Sequence, residues 1–334
     1  CLQTVEEPHM KKRIADLLAS QWTAEKMQTD EDELASFVDY EVDEERHVAT
    51  ITFNRPDKLN ALPVAGLEVV GDRVREAEYD NRVKVIVFRG AGPCFGTGAD
   101  GDELGYYIGY RDGTSKEDRR RPAQHQRMLP DRDMVTGAFT DVVANCLKAT
   151  ICQVHGYCYG GHMQIALAAD IVIASPDATF THPAFRYLGC APQDMYQWIE
   201  NLGVKKMKEI MLTMRPLDAD EGERCGLVNK VVPEDELEQW VHDYAQAISM
   251  MPLDGIMMGK ANMQVMANAR GKGIGEAMTW IGHGWATNLQ LNEGDYNFLK
   301  ERRNKGLGTA LKERDEAVAP FFRLGGRLKK GSKK

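Results

Sequence analysis

Ile151-Cys152-Gln153-Val154-His155-Gly156-Tyr157-Cys158-Tyr159-Gly160-Gly161-His162-Met163-Gln164, followed closely by Asp170-Ile171-Val172-Ile173-Ala174, decides how this chain is read. The apolar run 151–154 predicts a strand. Gly160 opens a helix, and that helix runs into a buried strand over 170–174. Strand, glycine turn, helix and strand in succession predict an α/β architecture. Glycines in the turn permit positive φ and close backbone approach. A helix opening after Gly160-Gly161 points free N–H groups and its positive dipole end at whatever lies before it.

A second glycine segment, Phe95-Gly96-Thr97-Gly98-Ala99-Asp100, stands upstream of the first. It follows a strand over Val83–Phe88 and a turn over Arg89-Gly90-Ala91-Gly92-Pro93. Two such segments that converge on one oxygen form an oxyanion-binding pair. By glycine spacing alone they read equally well as two tight turns. Neither contains a phosphate-binding P-loop or a dinucleotide fingerprint.

Further out, Val48–Phe53 predicts another strand, ended by Asn54-Arg55-Pro56, and 62–78 predicts a helix. A polar insertion at 101–128 carries Tyr106, Tyr107, Tyr110, His125 and Arg119-Arg120-Arg121, and 131–148 reads as a long amphipathic helix. These elements place a core over 46–250. Residues 1–45 read as a charged, partly helical extension in which Ile14, Leu17 and Leu18 precede an acidic run at Asp30–Glu33. Residues 251–334 read as a helical region rich in methionine and alanine, with a basic tail from Arg323 to Lys334.

The 334 residues carry a formal charge of −8, which argues against nucleic acid as a partner. No apolar run approaches the roughly 18 residues of a membrane span. The seven cysteines (Cys1, Cys94, Cys146, Cys152, Cys158, Cys190 and Cys225) form no C-x-x-C pair. They read as buried thiols in a reducing, cytoplasmic compartment. No signal-like apolar stretch follows Cys1. No histidine–carboxylate cluster has metal-ligand spacing, so no metal is expected.

Taken in order, several motifs resemble the crotonase superfamily, the enoyl-CoA hydratase/isomerase family. They are Thr52-Phe53-Asn54-Arg55-Pro56 with Lys58, Asn60, Ala61 and Leu62; Phe95 to Asp100; His155 to Gly161; Asp170 to Ala174 with Phe180; and Arg224-Cys225-Gly226-Leu227-Val228-Asn229. The resemblance implies a spiral of ββα turns with a C-terminal helical trimerisation region, assembled as trimers or hexamers. It implies an acyl-CoA thioester substrate, with no cofactor beyond the coenzyme A of that substrate. The amides of Ala99 and Gly161 would bind the thioester oxygen and stabilise an enolate. Lys58, Asn60, Ala61, Leu62, Thr97, Ala99 and Asp100 would line the coenzyme A path.

The departures from the family pattern bear on the chemistry. Hydratases of the family carry two glutamates across the substrate. Gln164 stands at the first position, and Phe180-Thr181-His182-Pro183-Ala184-Phe185 supplies no carboxylate at the second. An amide cannot serve as a general base at neutral pH. His162, His182 and Asp194 remain as polar replacements. His162 and Asp194 match positions of the β-diketone hydrolase branch (6-oxocamphor hydrolase-like), which implies retro-Claisen C–C cleavage as an alternative. A catalytically inactive acyl-CoA-binding protein is a further alternative. The plainer readings are that His162 packs or caps at the helix start, His182 bonds locally on its strand, Asp194 is an N-cap, Gln164 fills or lines the pocket, and His155 is structural.

Overall fold

The computed structural model describes residues 31–101, 132, 140–189, 195–286 and 291–324. The run Val85-Ile86-Val87-Phe88 is apolar at every position because both faces of its strand are covered, as parallel sheets require. In chain order the elements begin with α1 (Glu31–Ser36), β1 (Val38–Asp43), β2 (Val48–Phe53), α2 (Val64–Tyr79) and β3 (Val85–Gly90). They continue through α3 (Thr140–Asn145), β4 (Ala149–Val154), β5 (Tyr157–Tyr159), α4 (Gly161–Ala168), β6 (Ile171–Ala174), β7 (Thr179–Thr181) and α5 (Pro183–Tyr187). Next come α6 (Met195–Thr213), β8 (Leu217–Asp218), α7 (Ala219–Cys225), β9 (Lys230–Val231) and α8 (Leu237–Ser249). Four helices close the described chain: α9 (Leu253–Ala269), α10 (Lys272–Ala286), α11 (Phe298–Lys305) and α12 (Leu307–Val318).

A six-stranded sheet has the order β1-β2-β3-β4-β6-β9. β1 is antiparallel to β2, and the remaining pairs are parallel. A second sheet joins β5, β7 and β8. Isolated parallel bridges, Gly96 to Cys158 and Leu62 to Ala99, lengthen it toward the start of the chain. Each turn of the spiral thus gives one strand to the large sheet and a short one to the second. β3 leads to 96–99, β4 to β5 and α4, and β6 to β7 and α5. This is the ββα spiral expected from the motifs.

One face of the large sheet presents Val85, Val87, Ile151 and Ile173 to Leu237, Val241 and Ala245 of α8. The other presents Ile86, Phe88, Cys152 and Val172 to a larger cluster with Phe53, Phe95, Met163, Phe180 and Trp198. The alternation follows from the two-residue period of a strand. Cys94, Cys146, Cys152 and Cys158 are buried free thiols. Burial pushes the Cys94 thiol up to about 11 and Cys146 up to about 12, so both stay protonated at neutral pH.

One reading of the sequence changes. β1 lies inside the segment read as an extension, and it pairs along its whole length with β2. Its sequence, Val-Asp-Tyr-Glu-Val-Asp, alternates apolar and acidic residues, and the three acids concealed the strand period. Of the segment 131–148, positions 131 and 133–139 lie outside the described residues, Arg132 is helical, and α3 ends at Asn145 ahead of the strand from Ala149. No helix among the described residues is long and apolar enough to cross a membrane.

Away from the glycine segments, Arg215 ties α6 to α7. It is 1% exposed. Its Nη1 and Nη2 donate to the two carboxylate oxygens of Glu221 at 2.7 and 2.9 Å, and Nη2 also donates to Glu209 at 2.7 Å. Lys206 donates to Glu209 as well, at 2.7 Å.

Candidate active site

The turn after β2 is built by Asn60. Leu59 and Asn60 both adopt positive φ, 53° and 57°, and asparagine tolerates that region better than most residues. Asn60 is fully buried. Its Oδ1 accepts the Arg55 N–H at 2.9 Å, and its Nδ2 donates to the Ala91 and Cys94 carbonyls at 2.9 and 2.8 Å. Arg55 reaches across to Asp100 at 2.7 Å and to the Ala61 carbonyl at 2.9 Å. Thr97 Oγ1 donates to the Leu59 carbonyl. Backbone bonds from Leu62 N–H to Gly98 O (2.9 Å) and from Asp100 N–H to Leu62 O (2.8 Å) complete the seam.

The residues expected along the coenzyme A path therefore do come together. Asn60 and Asp100 are engaged inward and hold the turn, Leu62 is fully buried, and Lys58 and Ala99 lie exposed on the surface of the seam.

The two glycine segments touch backbone to backbone. Gly98 has φ +90°, and a Cβ there would stand 2.9 Å from both Gly160 Cα and Gly161 N. Only glycine allows that approach. Gly160 N–H donates to Thr181 O at 3.1 Å, and Gly161 is the first residue of α4. The neighbouring amides are committed: Gly98 N–H to His162, Leu62 N–H to Gly98 O and Asp100 N–H to Leu62 O. The amides of Ala99 and Gly161 donate to no acceptor among the described residues. A helix's first N–H has no partner within its own helix.

His162 lies behind this pair. It is fully buried, stands edge-on to Phe53 with ring centroids 4.3 Å apart, and also meets Phe95 at 5.8 Å. Its Nδ1 accepts the Gly98 N–H at 3.0 Å. Its Nε2 has no partner among the described residues. Accepting at Nδ1 requires the neutral tautomer protonated at Nε2. Burial pushes the ring's pKa down to about 3. A ring so held does not present a base toward the two uncommitted amides. Its placement accords with the packing reading.

Gln164 is buried on α4, and its backbone N–H bonds to Gly160 O at 3.0 Å. His182 is the N-cap of α5: its Nδ1 accepts the Ala184 N–H at 3.2 Å, which is the local bond expected of the plainer reading. Withdrawal from water and the nearby His283 push its pKa down to about 4. His155 Nε2 bonds the Gly92 carbonyl at 2.8 Å, a structural contact. Asp194 lies outside the described residues, as do Cys190 and positions 102–131, which include nearly all of the polar insertion.

The C-terminal helices supply contacts that the motifs did not announce. Arg302, 5% exposed, donates to the Gly101 carbonyl at 2.8 Å, just beyond Asp100. Asp315 accepts from Arg186 (2.8 Å) and from the Tyr187 hydroxyl (2.6 Å) on α5, and Arg314 donates to Arg186 O. The helices α11 and α12 thus brace both the end of the Phe95–Asp100 segment and α5. No local signal marks Arg302 or Asp315, since each acts on a residue more than 100 positions away.

A model of the enoyl-CoA hydratase/isomerase family matches residues 43–305. The chain belongs to that family. It is 28% identical over 248 residues to a putative enoyl-CoA hydratase, EchA13, of Mycobacterium tuberculosis, a match covering 70% of this chain and 76% of the relative. It is 30% identical over 227 residues to a probable enoyl-CoA hydratase of Rhizobium meliloti, covering 66% and 78%. Among solved structures, an enoyl-CoA hydratase from Mycobacterium smegmatis superimposes with a TM-score of 0.72 at 26% identity, over 88% of this chain and 98% of that one.

Proposed function

We propose that this chain is an acyl-CoA enzyme that works by stabilising a thioester enolate through the amides of Ala99 and Gly161, without the two-glutamate addition of water. The pair of uncommitted amides across the Gly98–Gly160 contact carries this reading. A thioester oxygen accepting both gains charge as the α-proton leaves, and donors fixed beforehand favour that state over the ground state. The N-terminus of α4 adds positive potential at the same place. Lys58, on the exposed turn, is set to meet coenzyme A phosphates, while Ala61, Leu62 and Thr97 line the way in. Asp194 is the proton acceptor in this reading, and Gln164 orients the acyl group from α4.

The alternative of hydrolytic C–C cleavage asks His162 to act as a base. A neutral, buried ring whose Nδ1 is occupied by an amide does not favour it. The exposed apolar side chains of α9 and α10, with Met258, Met263, Val265, Met266 and Ile274 each more than 60% exposed, support assembly as a trimer through this face. Free buried thiols accord with a reducing, cytoplasmic location.

The test is incubation with butyryl-CoA in D2O, alongside trans-2- and trans-3-enoyl-CoA esters and cyclic β-diketones, followed by mass spectrometry. Deuterium entering the α-carbon, with isomerisation of an enoyl ester, is the expected result and excludes the inactive alternative, whereas hydration of the trans-2-enoyl ester would overturn the part of the reading that leaves out addition of water. Cleavage of a β-diketone with gain of one water and no exchange into the thioester would replace this reading with the hydrolytic one.

A further inference from the structure

We infer that His162 is a positioning residue that sets the direction of the Ala99 amide, a role that rests on the two-amide reading above. Gly98, a glycine at φ +90°, has no side chain to restrain its own torsions, yet the Ala99 N–H belongs to the peptide plane that this residue swings. Two hydrogen bonds stop the swing. The Gly98 carbonyl accepts the Leu62 N–H at 2.9 Å, and the Gly98 N–H donates to His162 Nδ1 at 3.0 Å. In a trans peptide the carbonyl and the following N–H point in opposite directions. With Gly98 O turned to Leu62, the Ala99 N–H is turned away from Leu62. The bond to His162 fixes the plane on the other side of the same Cα. Together the two bonds hold the torsions of Gly98 from both ends.

His162 also follows Gly161 directly, on the first turn of α4. The ring that restrains one donor thus sits on the element that carries the other. The contact is close on every side: a Cβ at Gly96 would fall 2.3 Å from the imidazole. One observation separates this arrangement from ordinary packing. Nε2, with its proton, is buried without a partner among the described residues, and an orphan of that kind is rare enough to need an explanation. An apolar ring would fill the same space between Phe53 and Phe95 with no orphan. What an apolar ring lacks is the acceptor for Gly98.

The experiment compares His162→Leu, His162→Phe and His162→Asn in the full chain. Asparagine keeps an acceptor at the distance of Nδ1 from Cβ. Leucine has the same size as asparagine without the acceptor, and phenylalanine restores the ring. Steady-state kcat and KM for the ester that the wild type turns over are read together with hydrogen exchange of the peptide spanning 96–101. Expected results are a fall in kcat of at least 30-fold for the Leu and Phe variants with KM within threefold, kcat of the Asn variant within about fivefold of wild type, and exchange at Gly98 at least tenfold faster in Leu and Phe only. Equal kcat in the Leu and Asn variants, or unchanged Gly98 exchange in the Leu variant, overturns the role of His162 and leaves the proposed function standing. Absence of α-exchange and turnover in the wild type overturns the two-amide reading, and the role of His162 falls with it. Gly98 exchange then shows separately whether the hydrogen bond exists.

Discussion

Arg215 and His162 are both polar side chains almost wholly removed from water, and they are satisfied to very different degrees. Arg215 has a carboxylate on each side of its guanidinium, and Lys206 supports the same carboxylates. Among the described residues, His162 has one bond, to a backbone amide, and a second nitrogen with none. A buried polar group, charged or neutral, is costly unless its partners restore what water supplied. The α6–α7 knot meets that condition. The glycine seam does not meet it, and the departure falls beside the two amides left without acceptors. The two regions thus differ in how completely their buried polar groups are paired, and the less completely paired one is where the proposed function places the substrate oxygen.

The comparison is sharpest where the knot is cut. Arg215→Met leaves the partly buried Glu221 with only the longer Lys206 contact at 3.4 Å and is expected to cost about 3 kcal/mol of stability, read as the shift of a urea midpoint. Activity per folded molecule should not change. A loss of kcat in the folded variant would show that the knot reaches the site and that the two regions are not separate in their tasks.

At the seam the expected effect is on rate. Gly161→Pro deletes one donor at the first position of a helix, where proline is accepted. Gly160, at φ 58° and ψ −124°, lies in a region that mirrors the extended one preferred before proline. A fall in kcat of about 100- to 1,000-fold is expected, with a melting temperature close to wild type. A variant that melts normally and keeps its rate would remove Gly161 from the chemistry.

The smallest effect concerns pH. The His162 ring titrates at about 3 in the folded chain against an ordinary 6.5, so between these values the unfolded chain binds more protons than the folded one. Stability from this group is full above pH 6.5 and declines as the pH falls toward 3, by about 1.4 kcal/mol per unit. His182, pushed down to about 4, acts in the same direction. Glu209, held below the usual range by Lys206 and Arg215, adds to the loss at lower pH as it is protonated. Urea melts at pH 7.5 and 5 should therefore show a loss in wild type that is about 2 kcal/mol greater than in His162→Asn. Equal losses would mean that the imidazole is not held neutral.

Much of the fold was legible because local chemistry repeats at short range. The run at 85–88 is apolar because both faces of its strand are covered, those at 48–53 and 151–154 are mostly apolar with their buried positions apolar, and the glycines at 98, 156 and 160 are required by positive φ or by backbone contact. The strand at 38–43 was not legible, because its acids face outward between the apolar positions. For the site, the motifs brought together the residues of the seam but not their tasks. Asn60 and Asp100 read as lining and serve as ties. His162 reads as a base and sits as an acceptor in the core.

The sequence by itself determined the α/β class and the two glycine segments, since each rests on residue types at fixed local spacing, and its ordered motifs carried the family resemblance that implied the spiral. Tertiary structure alone decided which amides are left without acceptors, which nitrogen of His162 is occupied and how Arg302 and Asp315 brace the site. Those outcomes depend on groups brought together from up to about 200 residues apart, and on the loss of water around them, and neither is written in any local pattern.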